Sequence, residues 1–180
     1  KFKAGRRFVT KIYNASKFVL TQSGPMGPIS VELDRSFLSE LQAVVERSTE
    51  AYERYEYSNG LQHAEDFFWN AFTDNYIELV KRRARDENKH DERASAIASL
   101  RLALNILLRL FAPITPTITE EVWSWTFAKE TGYKSVHTAP WPSPAEFGNI
   151  APPTSGQSFA VACEAIGAVR KAKTESEIGL

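Results

Sequence analysis

The 180-residue chain contains a single cysteine, Cys163, which rules out an internal disulfide and any zinc site built from several thiolates. A reducing, cytoplasmic setting suits such a chain. Histidine is almost as scarce: His63, His90 and His137 are widely separated, and only Glu87 and His90 form an ExxH pair. A di-metal centre in a helical bundle takes two such pairs and two further carboxylates, so no metal site is expected. No glycine-rich phosphate loop follows a strand pattern, and no Ser/His/Asp grouping suggests a nucleophile, so no catalytic residue is assigned. Long apolar runs are missing too. The most apolar stretch, Leu100 to Phe111, is interrupted by Arg101, Asn105 and Arg109, so no membrane span or membrane partner is expected, and no leader pattern precedes it. The sequence begins at Lys1 and its only methionine is Met26, which suggests a piece of a longer polypeptide.

The most informative absence is that of acid. The first 31 residues contain no Asp or Glu but six basic residues, Lys1, Lys3, Arg6, Arg7, Lys11 and Lys17. The stretch from Glu32 to Asp66 reverses this, with nine acids against Arg35, Arg47 and Arg54, and the formal net charge is zero. A neutral chain with a segregated basic end is suited to local contact with a polyanion, although one solvated basic helix would look the same. Residues 5–20, GRRFVTKIYNASKFVL, read as a helix. On it Arg7, Lys11, Asn14 and Phe18 share one stripe, flanked by Arg6, Thr10 and Lys17. Phe8, Ile12, Ala15 and Val19 form the adjacent apolar stripe. Cations suit phosphates, an amide suits a base edge, and a ring suits stacking on an unpaired base. Phe18 is equally consistent with the edge of the core.

What remains is ample for one core: 43% of residues are hydrophobic and 12% aromatic. The patterning predicts an all-α bundle of five to six helices. Asp34 is placed as the cap of a second helix reaching about Tyr55, and a third spans Ser58 to Arg85. Asp86 to Arg93 reads as a polar turn. A fourth helix, Ala94 to Phe111, is apolar nearly all round and is expected at the centre. Thr117 and Glu120 are read as the capping box of a fifth. An extended piece follows at Ser135 to Pro144, and a last helix at Gly156 to Thr174. Residues 1–150 are assigned to the bundle, and 151–180 to a linker and C-terminal helix. Lys81, Arg82, Arg83 and Arg85 form a second basic cluster, either phosphate partners or caps on a helix's negative end.

Four blocks carry a family resemblance: GRRFVTKIYNASKFVL, AEDFFWNAFTDNYIELVKRR, LRLFAPITPTITEEVW and SVHTAPWP. In this order they resemble the C-terminal anticodon-binding domain of valyl-tRNA synthetases, class I enzymes, and cover most of residues 5–142. The DRSFLSEL segment at Asp34 resembles that family's DRWILSRL, with Ser36 and Glu40 where the pattern has Trp and Arg. The resemblance implies a domain that holds the anticodon stem-loop of tRNA(Val) for a parent enzyme charging it with valine and ATP, with magnesium. The HIGH and KMSKS motifs of the catalytic domain, the implied partner within the parent chain, are absent from this sequence, so no cofactor is implied for these residues themselves. Asn14 falls where related methionyl enzymes place an anticodon-contacting Asn, and Tyr76 near their base-stacking Trp. Arg6, Arg7, Lys11 and Lys17 are then phosphate partners, and Arg82 of the second cluster is a tRNA-binding candidate. The alternatives are the equivalent isoleucyl or leucyl domain, or a helical bundle for protein–protein contact.

Overall fold

The computed structural model describes residues 2–176, and among them none is in a β-strand. The first helix, α1 (Phe2–Leu20), buries the predicted stripe of Phe8, Ile12, Ala15 and Val19. Spacing of i, i+4, i+7 and i+11 puts these side chains on one side of a 3.6-residue helix, which packs against the centre of the bundle. A loop leads to α2 (Glu32–Glu53). Asp34 is not its cap. The N-cap is Val31, without a side-chain hydrogen bond, and Asp34 lies in the first turn, fully buried.

The third predicted helix is continuous but changes its winding. It begins as α3 (Tyr57–Asp66), passes into a π-helical stretch from Phe67 to Tyr76, and returns to α as α4 (Ile77–Val80) before a 3₁₀ turn at Arg83–Arg85. The Ile77 N–H reaches the Phe72 carbonyl, five residues back, as π winding requires. Wider winding brings Phe67, Phe68, Phe72, Thr73 and Tyr76 inward together.

The central helix is α5 (His90–Phe111), as the pattern predicts. It starts four residues earlier than expected, at the end of the polar turn, with Asp91 and Glu92 in its first turn facing the positive end of the helix dipole. It is the one described helix long and apolar enough to cross a membrane, but 78% of its most apolar window is buried in the bundle. Arg109 is 6% exposed and forms a fork with Glu146, its Nη1 donating to Oε1 at 3.1 Å and Nη2 to Oε2 at 2.5 Å. That pair ties the 140–147 loop to α5.

After Phe111 the chain turns into α6 (Pro116–Trp125), with Pro116 in its first turn, where a missing N–H costs nothing. The Thr117–Glu120 capping box does not form, because the helix has already begun. Glu120 instead accepts the Ser135 hydroxyl at 2.8 Å and the Val136 N–H at 3.0 Å. A capping box occurs instead at Ser143 and Glu146. A short α7 (Phe127–Thr131) ends at Gly132, whose φ of 79° is the left-handed stop. The last helix, α8 (Ser158–Glu175), lies against α2. Phe159 enters the shared core, 5.2 Å from the Phe37 ring centre. The eight α segments among the described residues exceed the five to six predicted because the third helix divides and α7 is a separate short helix; the all-α class holds.

Candidate nucleic-acid interface

The outer stripe of α1 is where the sequence places it. Arg6, Arg7, Asn14 and Lys17 are exposed, and Lys11 and Phe18 are half-buried. From Arg7 to Phe18 the stripe runs about 16 Å at 1.5 Å per residue. One concavity opens along its first half, and a second lies beyond Arg85, which covers the Phe18 ring.

The first, about 500 Å³, is lined by Arg6, Arg7, Thr10, Lys11, Asn14 and Trp69. Lys11 Nζ lies 2.9 Å from Asp74 Oδ1 and 5.2 Å from the Trp69 ring centre. The indole N–H is donated to Glu65 at 3.3 Å. Trp69 was not among the residues singled out from sequence. It belongs to the aromatic run FFWNAF, which reads as core, and only the fold reveals it half-buried beneath Lys11.

The second concavity is larger, about 760 Å³, with Leu79, Lys81, Arg82, Arg83, Arg85 and Lys89 among its walls and Asp86 and Glu92 as its acids. Arg85 lies over the Phe18 ring, 5.5 Å from its centre. Phe18 packs on the core edge and also carries the Arg85 guanidinium over its ring. The cations differ in how free they are. Lys81 pairs with Glu78 at 2.6 Å, Lys89 with Glu92 at 3.1 Å, and Arg83 with Asp34. Arg82 and Arg85 have no carboxylate within ion-pair distance among the described residues, nor do Arg6, Arg7 and Lys17.

Tyr76 is a correction. It is fully buried, its ring stacked on Phe37 at 3.7 Å between centres, so it offers no face to a base. Its hydroxyl donates to Asp34 Oδ1 at 2.7 Å. Burial, and then the Asp34 carboxylate, push its phenol well above the usual range. Asp34 accepts three further hydrogen bonds: two from the Arg83 guanidinium, one of them from Nη1 to Oδ2 at 2.9 Å, and one from Ser95 Oγ at 2.7 Å. Burial opposes the Arg83 charge, but the Asp34 carboxylate outweighs it and the guanidinium is held more firmly protonated. A buried carboxylate survives only when its lone pairs are filled in this way. The network fixes α2, the π-helical stretch, the 3₁₀ turn and α5 to one another behind the second cavity.

The geometry thus defines a class: a helical bundle with one basic face, broken by aromatic and amide groups, suited to a nucleic acid with unpaired bases. Residues 34–180 match the family described as the anticodon-binding domain of tRNA ligase, and the chain belongs to that family. It is 43% identical, over its whole length, to a valine–tRNA ligase of Thermobifida fusca. A valine–tRNA ligase of Cutibacterium acnes is 45% identical over 81% of the chain, and one of Anaplasma marginale 37% over 99%. The chain spans about a fifth of the length of these relatives, 20%, 17% and 21% respectively. The family match begins after α1, whereas the Thermobifida alignment includes it.

Proposed function

We propose that this chain is the anticodon-binding part of a valine–tRNA ligase and that it grips the anticodon stem-loop of tRNA(Val) along the outer stripe of α1. The observation that carries the reading is the basic stripe itself, with one cavity along Arg6 to Asn14 beside Trp69 and a second basic cavity reached from Phe18 through Arg85. Unpaired loop bases enter the larger cavity, where Leu79 offers apolar surface, Arg85 rests on the Phe18 ring, and Arg82 and Arg85 meet phosphate. Stem phosphates lie on Arg6, Arg7, Lys11 and Lys17. Asn14, midway and exposed, has both a donor and an acceptor for a base edge. A hairpin suits this face better than a duplex, because its loop bases are free to splay outward.

Activation of valine with ATP and magnesium, and its transfer to the tRNA, belong on this reading to a catalytic domain elsewhere in a longer, cytoplasmic enzyme. The role of these residues is to hold the distant end of the substrate. Titration of a fluorescent anticodon hairpin with the 180-residue chain tests the proposal. If about three phosphates are neutralised, log K falls against log salt with a slope of roughly −2, or on the order of tenfold for a fourfold rise in salt. Binding indifferent to salt, or no weaker for a fully paired duplex of the same length, would refute it.

A further inference from the structure

Arg83 stands apart from the cations around it. Its side chain is 14% exposed, lines the larger cavity, and is planted on a carboxylate with no exposure at all. Asp34 takes two of its N–H groups, one from each terminal nitrogen. A guanidinium carries five. The remaining three have no protein acceptor among the described residues, and its Nε is not sealed from solvent. Tyr76 and Ser95 each donate to one oxygen of Asp34, so the carboxylate cannot rotate and the fork attached to it cannot either. Ser95 is fixed in turn: its oxygen accepts the N–H groups of Ser30 and Val31 at 3.2 and 3.3 Å.

Two physical consequences follow. The Arg83 charge is compensated from behind, so it adds little to the pull on a phosphate, for which Arg82 and Arg85 are better placed. Its orientation is fixed, so it presents a set pattern of donors and no acceptor. Fixed direction with little net field is what reading a base edge requires, whereas flexible, uncompensated cations suit the backbone.

Resting on the functional reading above, we propose that Arg83 is a specificity-determining residue that reads the cytosine of the valine anticodon, with Asp34 as its positioning residue. Valine codons begin with G and U, so their anticodons share an adenine followed by a cytosine. Cytosine carries two adjacent acceptors, O2 and N3, that match a donor-only fork. Adenine places a donor beside its acceptor, and uridine places an N3–H where cytosine has a lone pair. A bidentate Arg contact to a base discriminates by roughly 5- to 150-fold.

The test is hairpin binding by the 180-residue chain at constant salt, with loops that carry C, U or 3-deazacytidine at that position, and a fourth with the neighbouring A changed to G. The wild-type chain should prefer C over U by about tenfold or more, and 3-deazacytidine, which lacks the ring acceptor, should bind as weakly as U. Arg83→Lys keeps the charge but loses the fork, and should bring the C/U ratio to about threefold or less while the A/G ratio persists. Arg82→Gln should weaken all loops alike and leave both ratios in place. Full-strength binding of the 3-deazacytidine loop, or a C/U ratio unchanged in Arg83→Lys, overturns the assignment. If Arg83→Lys fails to fold, the 3-deazacytidine comparison decides alone, since it leaves the protein untouched. A wild-type chain that binds every loop equally refutes the base-reading role only, whereas one that binds no hairpin refutes the functional reading and this assignment with it.

Discussion

Lys11 is shared between a carboxylate and a ring: its ammonium lies 2.9 Å from Asp74 and 5.2 Å from the centre of Trp69. Arg7, one turn away on the same stripe, has no acidic partner among the described residues. Two cations that look alike in the sequence therefore differ in the charge they offer an RNA. Arg7→Ala should flatten the salt slope of hairpin binding by about 0.9, one released counterion on the paired stem. Lys11→Ala should flatten it by less than half as much, and Asp74→Asn should steepen it. Equal changes for Arg7 and Lys11, read by fluorescence anisotropy at several salt concentrations, would show that Asp74 does not screen Lys11.

Leu104 is 1% exposed, midway along the central helix α5. Leu104→Ala should cost about 2–5 kcal/mol in urea unfolding, the transfer term plus an unfilled cavity. A loss below about 1 kcal/mol would mean that α5 is not the helix around which the others pack.

The sequence was legible where a single period governs. Phe8, Ile12, Ala15 and Val19 point inward because a regular helix repeats its face, and α5 is central because almost every side is apolar. Tyr76 was misread as a base-stacking residue. That placement came from a likeness of position to another family's Trp, and the π-wound stretch instead turns Tyr76 inward onto Phe37. Asp34 was misread as a cap because Asp near a helix start usually caps. The partners that hold it, Arg83 and Ser95, lie 49 and 61 residues further on, and nothing local announces them. Trp69 escaped notice for the same reason, since its place beneath Lys11 depends on how two distant helices lie together.

Glu32 gives the docking of α8 a pH dependence. The N–H groups of Ser155 and Thr154 both donate to its carboxylate at 2.9 Å and lower it from an ordinary 4.5 to about 2. A carboxylate lowered on folding stabilises fully above 4.5, and that contribution is lost as pH falls from there towards 2. Amide resonances of α8, followed by nuclear magnetic resonance, should shift towards an undocked state across that window. In Glu32→Gln the segment should be looser already at neutral pH and change little on acidification. An acid transition of α8 that is the same in both proteins would exclude Glu32 as its cause.

Ser36 occupies a position where the family's DRWILSRL pattern has Trp. Here it is buried, donates its hydroxyl to the Gly156 carbonyl at 3.0 Å and accepts the Phe159 N–H at 3.0 Å. A small hydroxyl residue here lets the backbone of α8 approach at Phe159, whose ring packs on Phe37 and Tyr76. Ser36→Trp should overpack that point, costing about 1–3 kcal/mol, and should expel α8. Paired with Phe159→Ala it should recover part of the loss. No recovery in the double variant, measured by thermal unfolding, would mean that the two side chains do not share one space.

The central claim is that the anticodon loop lies in the cavity beside Phe18 and Arg85, with the stem along α1. The most direct measurement is photo-crosslinking of an anticodon hairpin carrying 4-thiouridine within its loop, with the attached residues mapped by mass spectrometry. Adducts should fall on residues 79–89 and on α1 near Phe18, and should disappear when unlabelled hairpin competes. Adducts concentrated instead on the acidic outer surfaces of α2 and α3, or on α8, would contradict it.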